Sequence, residues 1–267
     1  MTTPDTARPG LAVVTGASTG IGRAFAGLLA GEGYDLVLAA DEPQVHDVAA
    51  NLQAAGRTVT AVEVDLATRE GVEQLHAAAT AAPSPVTVGI LNAGTGVHGR
   101  FDAASLDAQL LLIDLNVRST LHLSVLLARD MVARREGRLL LVSSIAGKGP
   151  GPGHAAYAAS KAFVHSFAEA TRHELADTGV TVTSLLPGPT DTDFFDRADM
   201  ESTRVAQGPK DSPEEVARDG WVALLQGKDH VVAGSVRNTV QATGANVVPD
   251  PVAARIAARQ TEEVSGS

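Results

Sequence analysis

An α/β fold, with a parallel sheet covered by helices on both faces, is what the sequence predicts, and three observations predict it. Short apolar runs alternate with helix-length segments along most of the chain, the order strand, helix, strand, helix. Aromatic residues make up only 3% of the chain. The core therefore has to be assembled from Ala, Val, Leu and Ile in short continuous runs bounded by Gly or Asp, as in strands buried on both sides. No Gly/Ser-rich or Pro-rich linker breaks the alternation before Pro187. Residues 11–247 are therefore expected to form one doubly wound domain of about seven strands joined by right-handed crossovers.

The strands are expected at 11–15, 36–39, 59–64, 86–91, 138–142, 180–186 and 230–233. The first runs directly into Thr15-Gly16-Ala17-Ser18-Thr19-Gly20-Ile21-Gly22 and a helix over 21–32. The second ends in Leu38-Ala39-Ala40-Asp41-Glu42-Pro43 before a helix over 44–55, and long helices are expected over 106–135 and 157–177. The stretch 187–213 is polar, carries Phe194 and Phe195, and suits a mobile lid over a substrate. Residues 1–10 are expected to be a flexible N-terminus, and 248–267 a peripheral C-terminal helix and tail.

Composition narrows the function classes. Lys plus Arg number 21 against 31 for Asp plus Glu, and the net charge of -10 opposes attraction to nucleic-acid backbones or anionic lipid. Neither nucleic acid nor membrane is an expected partner. The absence of cysteine excludes disulfides, thiolate metal sites and cysteine nucleophiles, and fits a reducing compartment, so the cytoplasm is expected. No apolar run approaches the ~18 residues of a membrane span, and 1–10 lacks an apolar signal core, so a soluble, unprocessed protein is expected. The eight histidines are scattered without an H-x-x-x-H pair, and no metal site is expected.

The glycine-rich turn after the first strand is the first feature that carries chemistry. Its glycines let the chain turn sharply and let backbone N–H groups approach a pyrophosphate at a helix N-terminus. The spacing is T-G-x-x-x-G-x-G, not the G-x-G-x-x-G fingerprint. It is followed in order by Asp65, Asn92-Ala93-Gly94, Asn116, Ser143-Ser144, Tyr157-Ala158-Ala159-Ser160-Lys161 and Pro187-Gly188-Pro189-Thr190-Asp191-Thr192. With these residues the sequence resembles the short-chain dehydrogenase/reductase family over most of its length. The resemblance implies a Rossmann-type sheet, a nicotinamide cofactor, and a catalytic tetrad of Asn116, Ser144, Tyr157 and Lys161. It implies cofactor contacts from Gly16, Ser18, Thr19, Gly20, Ile21, Gly22, Asp65 and Leu66 in the first half of the chain. Further contacts are implied from Asn92, Ala93, Gly94, Tyr157, Lys161, Pro187, Gly188, Thr190 and Thr192, the last at the nicotinamide carboxamide.

The residues support that reading independently. Tyr157 and Lys161 are four apart at the start of a predicted helix, so both project from one face. A nearby ammonium is expected to draw the tyrosine pKa down from about 10 toward the working range, which makes a general acid/base. Ser144 would hold the reacting oxygen. Ser143 is expected to face the backbone. From the family, Lys161 is also expected to grip the nicotinamide ribose and Asn116 to fix a proton-carrying water.

Cofactor choice turns on Asp41, which would repel a 2'-phosphate and accept from ribose hydroxyls, so NAD is favoured over NADP. Asp41 could instead cap the next helix. The expected activity is interconversion of a small-molecule carbonyl and a secondary alcohol, and the alternative is a catalytically silent dinucleotide-binding regulator or scaffold. His154, Phe194 and Phe195 are candidate pocket residues, and a homodimer or homotetramer is expected through the long helices.

Overall fold

A computed structural model describes residues 10–245 and 250–262, and the expectations for 1–9, 246–249 and 263–267 fall outside those residues. Seven strands form one parallel sheet: β1 (Leu11–Thr15), β2 (Asp35–Ala40), β3 (Val59–Glu63), β4 (Val86–Leu91), β5 (Gly137–Val142), β6 (Val180–Pro187) and β7 (His230–Ala233). Their order is β3-β2-β1-β4-β5-β6-β7. Every residue of β1 and β4 is buried, because alternate side chains enter two apolar layers on opposite faces. Phe25, Leu29 and Trp221 fill one layer, and Leu75, Leu127 and Met131 fill the other.

The flanking helices include α1 (Gly20–Gly31), α2 (Gln44–Ala54) and α3 (Arg69–Thr80) in the first half. Thr68 caps α3 by accepting from the Gly71 N–H at 3.0 Å. The helix expected over 106–135 is α4 (Leu106–Ile113), a π turn (Asp114–Ser119) and α5 (Thr120–Arg134). The extra residue of a π turn rotates the side chains within it, and here it turns Asn116 inward. By length and composition, Leu106–Arg134 matches a membrane span despite the expectation from its sequence, yet α5 packs against α3, β4 and β5.

A 3-10 turn (Ile145–Lys148) follows β5, and then α6 (Ala155–Glu174). The expected lid contains two single-turn helices, α7 (Phe194–Arg197) and α8 (Arg204–Gln207). Next comes α9 (Pro213–Leu225), with Ser212 accepting from the Glu215 N–H, Pro213 at its first position and two glutamates in its first turn. The chain closes with α10 (Val236–Ala245) and α11 (Asp250–Thr261).

Candidate active site

The strand order reverses between β1 and β4, and the loops leaving the carboxyl ends of those neighbours diverge to opposite sides of the sheet. A cleft of about 1010 Å³ opens there. That lies at the upper end of the ~300–1,000 Å³ range of small-molecule sites, enough for a ligand of dinucleotide size.

The glycine turn forms one end of the cleft. Thr19 precedes α1 without a side-chain cap, which leaves the first-turn N–H groups and the positive end of the helix dipole facing the cleft. Gly20 adopts φ +54°, a left-handed conformation that favours glycine. Gly22 is required for a different reason: a Cβ there would lie 2.0 Å from the Gly16 carbonyl oxygen. Asn92 ties the turn to β4 by donating through Nδ2 to the Thr15 and Gly16 carbonyls, at 3.1 and 3.2 Å. This uncapped cradle fits a pyrophosphate. Apart from Gly22, which is buried beneath the turn, every residue expected at the cofactor lines the cleft.

At the end of β2, Asp41 lines the cleft, and α2 begins without any side-chain cap, so the capping alternative for Asp41 is not what the fold uses. Its neighbour Glu42 forms a cluster that the sequence did not announce. Glu42 accepts from Ser18 Oγ at 2.8 Å and pairs with Arg197 of α7 at 3.0 Å, while Arg197 also donates to Thr19 Oγ1 at 3.0 Å. The 187–213 segment is thereby fastened to the glycine turn.

The other end of the cleft holds Ser144, Tyr157 and Lys161. Ser144 Oγ accepts from the Ala146 N–H at 3.1 Å beside the Tyr157 phenol, and Ser143 instead donates to the Lys161 carbonyl at 2.6 Å, as expected of a backbone-facing residue. Lys161 Nζ donates to the Val142 carbonyl at 3.0 Å and lies 5.8 Å from the Tyr157 ring centroid. Burial pushes Tyr157 up to about 12, against the lowering by Ser144, and pushes Lys161 down to about 8. The expected lowering of Tyr157 by the ammonium is thus overruled by desolvation, which disfavours phenolate and ammonium alike.

Asn116 does not reach the cleft wall. It is 1% exposed, and its side chain accepts from the Thr95 N–H at 2.9 Å while donating to the Thr95 carbonyl at 2.9 Å and to Ser160 Oγ at 3.0 Å. Those bonds hold the segment after Gly94 against the start of α6. Thr192 Oγ1 accepts from the Phe194 N–H at 3.3 Å, a cap-like contact at the start of α7. Phe194 packs on Tyr157 with centroids 5.2 Å apart, and His154 lies 6.0 Å from the same ring.

The C-terminal helix is not peripheral. Thr261 donates to the Pro152 carbonyl at 2.9 Å, the Arg204 N–H donates to the Glu262 carbonyl at 3.2 Å, and Ile256 and Arg259 line the cleft. Among the described residues outside the cleft, Glu169, Asp229 and His230 bring possible ligand atoms within 4.8 Å of one another on the surface.

A dinucleotide-sized cleft at a sheet switch point, with tyrosine and lysine at one end, defines a Rossmann-type oxidoreductase scaffold. Residues 10–202 match the short chain dehydrogenase family, and the chain belongs to it. It is similar to the glycine betaine reductase ATRR of Emericella nidulans, 34% identical over 85% of this chain, although it spans only 18% of that protein's length. Among solved structures, a short chain dehydrogenase/reductase from Burkholderia phymatum in complex with NAD superposes with a TM-score of 0.81 at 28% identity, covering 88% of this chain and 91% of that one. A short-chain dehydrogenase from Sphingobium yanoikuyae in complex with NADPH superposes with a TM-score of 0.78 at 27% identity, covering 84% and 87%. These similarities support a nicotinamide dinucleotide as the cofactor class.

Proposed function

We propose that the protein interconverts a carbonyl and a secondary alcohol by hydride transfer, with Tyr157 as the general acid/base and NAD preferred to NADP. The observation that carries this reading is Tyr157 beside Ser144, lining the same cleft as Lys161 and the open N-terminus of α1. Bound NADH supplies the hydride for reduction, and NAD takes it in oxidation. Ser144 holds the substrate oxygen by hydrogen bonding, so that charge developing there meets a placed donor. Tyr157, neutral at working pH, gives that oxygen its proton. Lys161 stabilises the phenolate that forms, and in the oxidative direction the same proton returns to Tyr157. Asn116 positions the site by fixing Thr95 and Ser160, and Gly94, Pro187, Gly188 and Thr192 shape the nicotinamide end.

Asp41 supports the NAD preference, because a carboxylate on the cleft wall repels a 2'-phosphate and accepts from ribose hydroxyls. Assembly through α4 and α5 is supported by exposed Leu106, Leu110 and Leu121 on those helices, an apolar face suited to a second copy. A cytoplasmic location fits the cysteine-free composition.

The decisive experiment titrates the protein with NADH and NADPH and then follows cofactor oxidation as ketones and aldehydes are added. The Tyr157→Phe variant should lose about a thousandfold in turnover while still binding NADH. Undiminished activity of that variant would sink the mechanism. Cofactor binding without turnover of any carbonyl would favour the regulator.

A further inference from the structure

We infer that the substrate is an amphipathic anion: an apolar body carrying the reacting carbonyl, with a carboxylate-type group at its far end received by Arg204 and Arg259 at the mouth of the cleft. This deepens the proposed reductase reading and rests on it.

The wall near Tyr157 is apolar. Leu111, Leu115, Ile145, Phe194, Val205 and Ile256 all line the cleft, and Ile256 carries the apolar surface outward, being 52% exposed. The titratable groups report the same medium: burial pushes His154 down to about 4 and Lys161 down to about 8 and raises Tyr157, in each case disfavouring the charged form. A substrate charge placed beside the reacting carbonyl would lose its hydration there, with the Lys161 ammonium, itself desolvated, as the cation at hand. Charge is tolerated only where water reaches.

At the mouth the chemistry changes. Arg204 on α8, Arg237 on α10 and Arg259 on α11 line the rim, and all three are exposed. The α8 and α11 arginines share one edge, because the Arg204 N–H bonds to the Glu262 carbonyl one turn beyond Arg259. Arg204 has a loose pair with Glu262 at 3.9 Å, both more than half exposed, whereas Arg237 and Arg259 have no ion pair among the described residues. Asp211, also on the wall, is already engaged by the Ser235 N–H at 3.0 Å and by Asn238 Nδ2 at 2.7 Å. A chain of net charge -10 has therefore gathered three arginines around an apolar opening. Such a rim attracts an anion whose apolar portion enters first.

The test compares decanoate with decanol by calorimetry on the NADH-loaded protein. Decanoate should bind more tightly, and its advantage should fall about threefold in each of Arg204→Gln and Arg259→Gln and about tenfold in the double variant, as exposed charge pairs do. Added salt should shrink that advantage, and decanol should be indifferent to all of these changes. Equal binding of the two ligands, or equal weakening of both by the substitutions, overturns the inference. A long-chain oxo acid with its ketone remote from the carboxylate is then offered as substrate beside its methyl ester. Arginine-dependent decanoate binding without reduction of any carbonyl would leave the anion site standing and overturn the reductase reading. Reduction of acid and ester at equal rates, together with equal ligand binding, would do the reverse.

Discussion

The two ends of the cleft are built differently. At the adenosine end, the glycine turn, the end of β2 and Asp65 come from the first quarter of the chain, each directly after a strand, and the charged side chains Asp41, Glu42 and Asp65 are acidic. At the substrate end, the 3-10 turn after β5, the 187–213 segment and α11 are drawn from a stretch of more than a hundred residues, and the rim is basic. One end is a local motif on rigid strand ends, whereas the other is an assembly of loops and short helices. The two ends are nevertheless joined, because Arg197 in the 187–213 segment reaches Glu42 and Thr19 beside the glycine turn.

The largest effect expected at the adenosine end tests how rigid that end is. Gly22→Ala drives a Cβ into the Gly16 carbonyl oxygen, so NADH affinity should drop by about a hundredfold, with about 1–3 kcal/mol of stability lost to strain. NADH titration and urea unfolding measure the two losses, and a variant that binds normally would show that the turn yields.

The substrate end should instead be sensitive to pH. Burial places Lys161 at about 8, below its ordinary 10.5, so its ammonium persists below that pH and is lost above it. If the ammonium stabilises the Tyr157 phenolate, kcat/KM for reduction should be level below pH about 8 and fall about tenfold per unit above it. A pH profile of wild type against Lys161→Met checks this, the variant being slow throughout and lacking the upper limb.

Stability should follow the same group in the opposite sense. Between about 8 and 10.5 the unfolded chain holds a proton on Lys161 that the folded protein has released, so the cost of burying the ammonium fades as pH rises through that window. The stability deficit of wild type relative to Lys161→Met should narrow correspondingly in urea titrations.

Asp41→Arg addresses the sign of charge at the adenosine end and should move the NADPH-to-NADH affinity ratio by about tenfold toward NADPH. An unchanged ratio would remove Asp41 from cofactor selection. The smallest effect is expected where the two ends meet. Arg197→Ala cuts the fastening between α7 and Glu42, and because that pair is partly exposed, NADH release should quicken by only about threefold, read by stopped-flow fluorescence. No change in release would mean that the lid is held by Phe195 and Met200 in the apolar cluster beneath it.

What the sequence determined by itself is the part of the molecule in which neighbours along the chain are neighbours in space. Periodicity and apolar runs set the seven strands and the main helices, since a parallel sheet covered on both faces leaves that pattern in each strand separately. The glycine turn and the Tyr157–Lys161 pair were legible because each lies on a single turn or helical face. Only the tertiary structure decided the rest. Asn116 is turned inward by a π turn that helical periodicity does not announce, Glu42 meets Arg197 across 155 residues, and α11 reaches Pro152 across 109. Desolvation of Tyr157 and Lys161 is likewise a property of everything packed around them, so the direction of their shifts emerges only when distant segments close over one site.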